Sequence, residues 1–165
     1  LNGREELALI AELGVAFAGF LAIFLIFARR EGRFSPADSL RVRSIIVSSL
    51  SAVFLALVPL VMNLYRLEGV ILWRTASILA LAVGGVMSLH VGRRQYALPP
   101  EERAAVGSVH SNIAWSLVLL SGVLLVSNIL GLFREPSAAP YITALVCALG
   151  IATSNFVTIA FHRLL

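Results

Sequence analysis

The feature that most constrains this chain is a series of five apolar runs, over residues 7–27, 45–64, 70–91, 113–133 and 141–161. A bilayer core about 30 Å thick needs roughly 20 apolar residues, and each run reaches that length. Inside lipid a backbone must satisfy its own hydrogen bonds, so each run is predicted to be a transmembrane helix. Only 13% of the 165 residues are charged, whereas a soluble domain carries about 25%. The expected fold is an all-α integral membrane protein, one membrane domain over residues 1–165 built as a bundle of five transmembrane helices. The remaining connections are too short for a separate soluble core. The first run is longer than a usual signal core and follows Glu5 and Glu6 instead of a basic stretch, so it reads as a span and not as a cleaved signal.

All 13 basic residues are arginine, against nine acidic ones. The absence of lysine excludes Schiff-base chemistry on this chain. A net charge of +4 would suggest nucleic acid in a soluble protein, but these arginines flank apolar runs and no nucleic-acid partner is expected. Arg29, Arg30, Arg33, Arg41, Arg43, Arg93, Arg94, Arg103 and Arg163 fall on one side of the membrane; Arg4, Arg66, Arg74 and Arg134 fall on the other. The positive-inside rule then puts the N-terminus outside and the C-terminus in the cytoplasm of a bacterial-type cell inner membrane, with cytoplasmic arginines against anionic lipid headgroups. Tyr65, Trp73 and Tyr141 are expected at the outer interface, where amphipathic rings are favoured.

Prolines and caps refine this outline. Ser35-Pro36-Ala37-Asp38 combines a capping hydroxyl, a proline suited to the first helical position and an acid in the first turn, so the second helix is expected to start before the membrane. Pro99-Pro100-Glu101-Glu102 resembles such a start ahead of the fourth span, and Pro136 and Pro140 precede the fifth. Pro59, inside the second span, predicts a kink because it removes one amide donor and frees the carbonyl four residues back.

Membrane helices associate through small residues at four-residue spacing. Ala76, Ala80, Gly84, Ser88 and Gly92 form such a ridge on the third span; Ser44, Ser48, Ala52 and Ala56 do so on the second, Gly14, Ala18 and Ala22 on the first, and Ala144, Ala148 and Ala152 on the fifth. Val61-Met62-Asn63-Leu64 and Val126-Ser127-Asn128-Ile129 end the second and fourth spans similarly, a faint sign of two hairpins related as parallel repeats.

Polar groups within apolar spans are the functional candidates. Glu12 and Arg74 are read either as an ion pair that docks the first and third helices or as a proton or cation site. In its first-helix glutamate the chain resembles the small multidrug-resistance transporters, which have four helices; that single likeness implies a proton-coupled carrier. Asn63 and Asn128 are read as interhelical hydrogen bonds or as parts of a wet path, the latter with the faces Ser48-Ala52-Pro59-Asn63 and Ala114-Ser121-Asn128. Asn155, Thr158 and His162 share one face of the fifth helix, with Thr153 and Ser154 nearby. His90, His110 and His162 fall near the cytoplasmic interface, a depth that permits a metal or haem, yet no cofactor is expected because no known ligand spacing is present. Cys147 is the only cysteine, so neither an internal disulfide nor a cysteine-based metal cluster is possible. No nucleotide-binding glycine loop, nucleophile elbow, HExxH or potassium-filter sequence occurs, and no enzyme is expected.

The function expected from sequence is a homo-oligomeric channel for small ions or solutes, lined by Asn155, Thr158 and His162 with Glu12 and Arg74 at the outer entrance. The alternatives are a proton-coupled transporter that uses Glu12, and an accessory or assembly subunit that transports nothing.

Overall fold

A computed structural model describes residues 3–30, 35–105, 108–132 and 135–164. Every regular element among them is helical: α1 (Arg4–Arg30), α2 (Pro36–Leu64), α3 (Gly69–Tyr96), α4 (Pro100–Ala105), α5 (Ser108–Leu130) and α6 (Ala138–Leu164). Five of these are long and apolar enough to cross a membrane; α4, with six residues, is not.

α2 begins well before the predicted span, and its cap explains why. Ser35, in extended conformation, accepts a hydrogen bond from the Asp38 amide at 3.0 Å, while Pro36 takes the first helical position, where an amide would have no helical partner. Asp38 then pairs with Arg41 one turn on, at 3.3 Å. The 29 residues of α2 extend about 43 Å at the standard helical rise, beyond the apolar thickness of a bilayer. Its surplus turns lie beside the last turn of α3, which carries Arg93 and Arg94. This is the arginine-rich end of the bundle. The Pro99-Pro100 motif opens α4, and α5 is described from Ser108; residues 106 and 107 between them lie outside the described residues. Arg103 of α4 donates to the carbonyls of Tyr96 and Leu98, which ties α4 to the end of α3.

α2, α3, α5 and α6 form a ring in which each helix packs on the next and α6 closes back on α2, while α1 lies outside in the groove between α2 and α6. The close approach of α1 to α2 depends on Gly14: a Cβ there would lie 2.6 Å from Val53 Cγ2 and 3.0 Å from the Ser49 carbonyl oxygen.

The two hairpins of the ring share a detail that supports the sequence likeness. At the end of α2 the Leu67 amide donates to Met62 O (3.2 Å) and the Arg66 amide to Asn63 O (3.0 Å); at the end of α5 the Leu132 amide donates to Ser127 O (2.9 Å) and the Gly131 amide to Asn128 O (3.3 Å). Both are Schellman caps in the same register, and the residue that turns left-handed is Arg66 (φ 61°) in one and Gly131 (φ 71°) in the other.

At the end opposite the arginines the core draws on all five long helices: Leu7 and Ile10, Ala52 and Leu55, Trp73 and Ala76, Leu125, and Tyr141 with Leu145. Trp73 and Tyr141 do not lie at a lipid-facing surface as the sequence suggests: they are 5% and 0% exposed and pack against each other with ring centroids 5.7 Å apart and planes tilted by 53°, whereas Tyr65 is exposed. The reason is Pro59. It leaves the Leu55 carbonyl without its helical donor, and the Tyr141 hydroxyl supplies the missing hydrogen bond at 2.6 Å. Towards the arginine-rich end a second cluster, Leu21, Val42, Ile45, Ala152 and Ile159, joins only α1, α2 and α6. Among the described residues neither α3 nor α5 contributes to it, and the ring is left incompletely filled on their side.

Candidate functional site

The unfilled part of the ring is a half-enclosed cavity in two adjoining compartments, of about 230 Å³ and about 100 Å³, which share Val47, Ser48, Met87, Ser88, Val118 and Ile151 as a common wall. All four ring helices line it; among the described residues α1 supplies none. Gly84, Gly85 and Gly122 keep it open, because no heavy atom lies within 4 Å of the place a Cβ would take on any of them.

The cavity is chemically graded. Its inner compartment ends on Leu55, Ala80, Leu125 and Leu145, and its middle carries the hydroxyls of Ser48, Ser51, Ser88 and Ser121. Ser121 donates to the Ala144 carbonyl at 3.3 Å. Its outer compartment is bounded by Arg41, Ser44, Gln95, Ser111, Trp115 and Asn155. Here Gln95 Nε2 donates to Ser111 Oγ at 2.9 Å, linking α3 to α5, and Asn155 Nδ2 donates to Ile151 O at 2.9 Å and reaches Ser44 Oγ at 3.4 Å, linking α6 to α2. Arg41 is only 5% exposed, a charge held within the bundle beside Asp38. Beyond Leu40, which is wall to both spaces, a cleft of about 520 Å³ carries Arg43 and Arg94, both exposed.

The opposite end is closed. Asn128, 1% exposed, donates to Ser77 Oγ (2.9 Å) and to the Ser137 carbonyl (3.1 Å) and accepts from the Ser137 amide (2.9 Å). One side chain thereby binds α5 to α3 and to the turn that starts α6. With Trp73 and Tyr141 it plugs the bundle.

The residues singled out from sequence are distributed unevenly over this geometry. Asn155 lines the cavity, as do Ser48, Ala114 and Ser121 from the two suggested faces. Asn128 belongs to the plug. Asn63 is half-buried near the end of α2 and makes no side-chain hydrogen bond among the described residues. Thr158 donates to the Ser154 carbonyl of its own helix at 2.8 Å. The side chain of His162 lies outside the described residues, as does that of His110, so the convergence of the three histidines does too; His90 is half-buried, and its Nε2 has no partner among the described residues. Among the described residues no group of three or more His, Cys, Asp or Glu side chains is placed to hold a metal ion.

Two expectations are corrected. Glu12 and Arg74 do not form an ion pair: both are exposed, on helices that flank α2 from different sides, α1 against α6 and α3 against α5. The small-residue ridge of α3 is not one packing face. Ala76 and Ala80 are 0% and 2% exposed within the core, but Gly84 and Ser88 are half-buried and face the cavity. The residues missed from sequence are Gln95, Ser111 and Trp115, and Arg41 in any role besides orientation. All four sit near helix ends, where polar and amphipathic side chains are ordinary; the available signal was the set of serines on facing helices, Ser44, Ser48 and Ser51 with Ser88 and Ser121.

No protein-family model matches the chain, and no curated protein or solved structure is significantly similar to it.

Proposed function

We propose that this multi-pass membrane protein is a small carrier that takes up a solute within its own protomer, in the α2–α3–α5–α6 cavity, with the arginine-rich end in the cytoplasm of a bacterial-type inner membrane. The observation that carries this reading is a cavity that ends blind. Its largely apolar walls carry serine hydroxyls and the amides of Gln95 and Asn155 towards the arginine-rich end, and its inner end stops on Leu55, Ala80, Leu125 and Leu145, short of the buried Trp73, Tyr141 and Asn128. A channel needs a continuous path, while a carrier in one of its states is open on one side and closed on the other. The two similarly capped hairpins suit this mechanism, since rocking of one hairpin against the other would open the opposite side. This reading assigns no role to Glu12, which is not among the residues that line the cavity.

Single-cysteine variants in a Cys147→Ala background test the proposal in oriented vesicles with a membrane-impermeant maleimide. Ser88→Cys is expected to react from the arginine-rich side, and Ala76→Cys, behind the plug, from the opposite side as the carrier turns over. Failure of Ala76→Cys to react from that side would eliminate the carrier. An unreactive Ser88→Cys would mean a dry bundle.

A second reading, as a subunit of a larger or homo-oligomeric assembly, is favoured by one observation: Glu12 and Arg74 face outward from membrane-crossing segments. An unpaired charge in lipid costs several kcal/mol, and a neighbouring subunit of opposite charge would remove that cost.

A further inference from the structure

We propose that the arginine cleft and the cavity beneath it form one binding site for an anionic amphiphile with a single alkyl chain, its head at Arg43 and Arg94 and its chain between the ring helices. This rests on the cavity reading above and names the class of solute.

Three features of the space select that class. The first is the order of its walls. From the cleft inward a ligand meets exposed guanidinium groups on two different helices, then the amides of Gln95 and Asn155, then serine hydroxyls, and last only aliphatic carbon. A compact polar solute would leave the inner end empty, and a wholly apolar one would strip water from the outer groups without replacing their hydrogen bonds. The second is charge. Arg43, Arg94 and the buried Arg41 face the cleft or the compartment below it, while the acid on the same turns, Asp38, is already paired with Arg41. A phosphate or carboxylate head matches the positive charge that remains, and guanidinium groups bind such heads in bidentate geometry.

The third feature is size. A dry cavity of about 150 Å³ accepts a benzene ring; compartments of about 230 Å³ and about 100 Å³ in series accept one extended chain. The inner compartment reaches Ala80 and the outer one reaches Gln95 along α3, a rise of about 22 Å. That is long and narrow. It excludes the paired chains of a bilayer phospholipid and leaves a single-chain monoester or acid.

The hydroxyls of Ser48, Ser51 and Ser88 have no hydrogen-bond partner among the described residues, and none of the three is fully buried. They would solvate the junction between head and chain, or the water that travels with it.

The test uses the whole chain in phosphatidylcholine nanodiscs, with a series of alkyl phosphates from butyl to decyl as probes, referred to the free aqueous concentration and corrected for empty discs. Affinity is expected to rise about fourfold per methylene until the chain reaches Leu125. Inorganic phosphate is expected to bind weakly, decyltrimethylammonium not to compete, and phosphatidic acid in the disc not to displace the probe. Arg43→Gln and Arg94→Gln should each lower affinity about tenfold. Gly122→Leu should flatten the chain-length series and leave the weak binding of inorganic phosphate unchanged.

A series with no dependence on chain length beyond that of empty discs, or equal binding by the ammonium probe, would overturn the proposal. So would unaltered affinity when Arg43→Gln and Arg94→Gln are combined, and displacement by phosphatidic acid would assign the cleft to a bilayer lipid instead. The two readings fail separately. Alkyl phosphate binding with an unreactive Ala76→Cys keeps the site and removes carriage; labelling from both sides without alkyl phosphate binding keeps the carrier and removes this class of solute.

Discussion

Pro59 and Tyr141 illustrate how a local rule becomes a tertiary contact. A proline in a helix frees one carbonyl whatever surrounds it, and in an apolar interior that carbonyl requires a donor. The Tyr141 hydroxyl meets the requirement from another helix, which explains why a tyrosine that could have sat at the interface is fully buried instead. Tyr141→Phe is expected to destabilise the protein by about 1–2 kcal/mol by leaving the Leu55 carbonyl orphaned. Pro59→Ala restores an amide donor to that carbonyl, so Tyr141→Phe should cost far less in a Pro59→Ala background. A double-mutant cycle in a reversible denaturation assay measures the coupling; additive effects would refute the account. Asn128 is a comparable node at the same end. The proline was legible as a defect, but its partner was not, because sequence spacing does not say which helix lies alongside.

The hairpin caps show the same division at the scale of the element. Two Schellman turns of identical register close α2 and α5, yet one has Gly131 at the left-handed position and the other has Arg66. A left-handed conformation costs a residue with a Cβ about 1–2 kcal/mol relative to the right-handed region, and glycine avoids that strain. Arg66→Gly should therefore raise the stability of the α2–α3 hairpin, and Gly131→Ala should lower that of the α5–α6 hairpin, each by about 1 kcal/mol. Hydrogen exchange of the Leu67 and Leu132 amides, local to each cap, reads both changes. If both variants shift exchange in the same direction, the two caps are not equivalent. Helix starts were more legible than ends: Ser35 and Pro36 set the start of α2 through side-chain chemistry adjacent in sequence. The Pro99-Pro100 motif, with Glu101 and Glu102 in the first turn, likewise opens a helix at Pro100.

Glycines separate the packed from the unpacked parts of the whole molecule. At Gly14 a methyl group would meet Val53 and the Ser49 carbonyl; at Gly84 and Gly122 it would meet nothing. The same substitution therefore has opposite expected signs. Gly14→Ala should destabilise by about 1–3 kcal/mol through overpacking of α1 on α2, while Gly84→Ala and Gly122→Ala should stabilise by about 0.5–1 kcal/mol through helix propensity. Thermal unfolding of the three variants in one detergent decides this; destabilisation by all three would mean that the cavity is filled by protein in solution. Stabilisation at Gly84 or Gly122 that also narrowed the site would show an open space maintained against stability.

By itself the sequence determined the number of spans, the cap that lengthens α2, the position of Pro59 and the asymmetry of arginine between the two ends. Each of these is a property of one segment: its length, its neighbours along the chain, or its charge. Only the tertiary structure decided that Ala80 packs while Gly84 lines a cavity one turn further on, that Glu12 and Arg74 stay apart, and that Asn155 faces the interior beside Ser44. The physical reason is the solvent. In water an apolar face must point inward, so periodicity reveals the core; in lipid, inward and outward faces are equally apolar. α3 carries exposed Ile71, Ile78, Val86 and Leu89 as readily as buried Leu72. Which face meets another helix, and where two helices fail to meet, is then set by the close fit of whole surfaces brought together from distant parts of the chain.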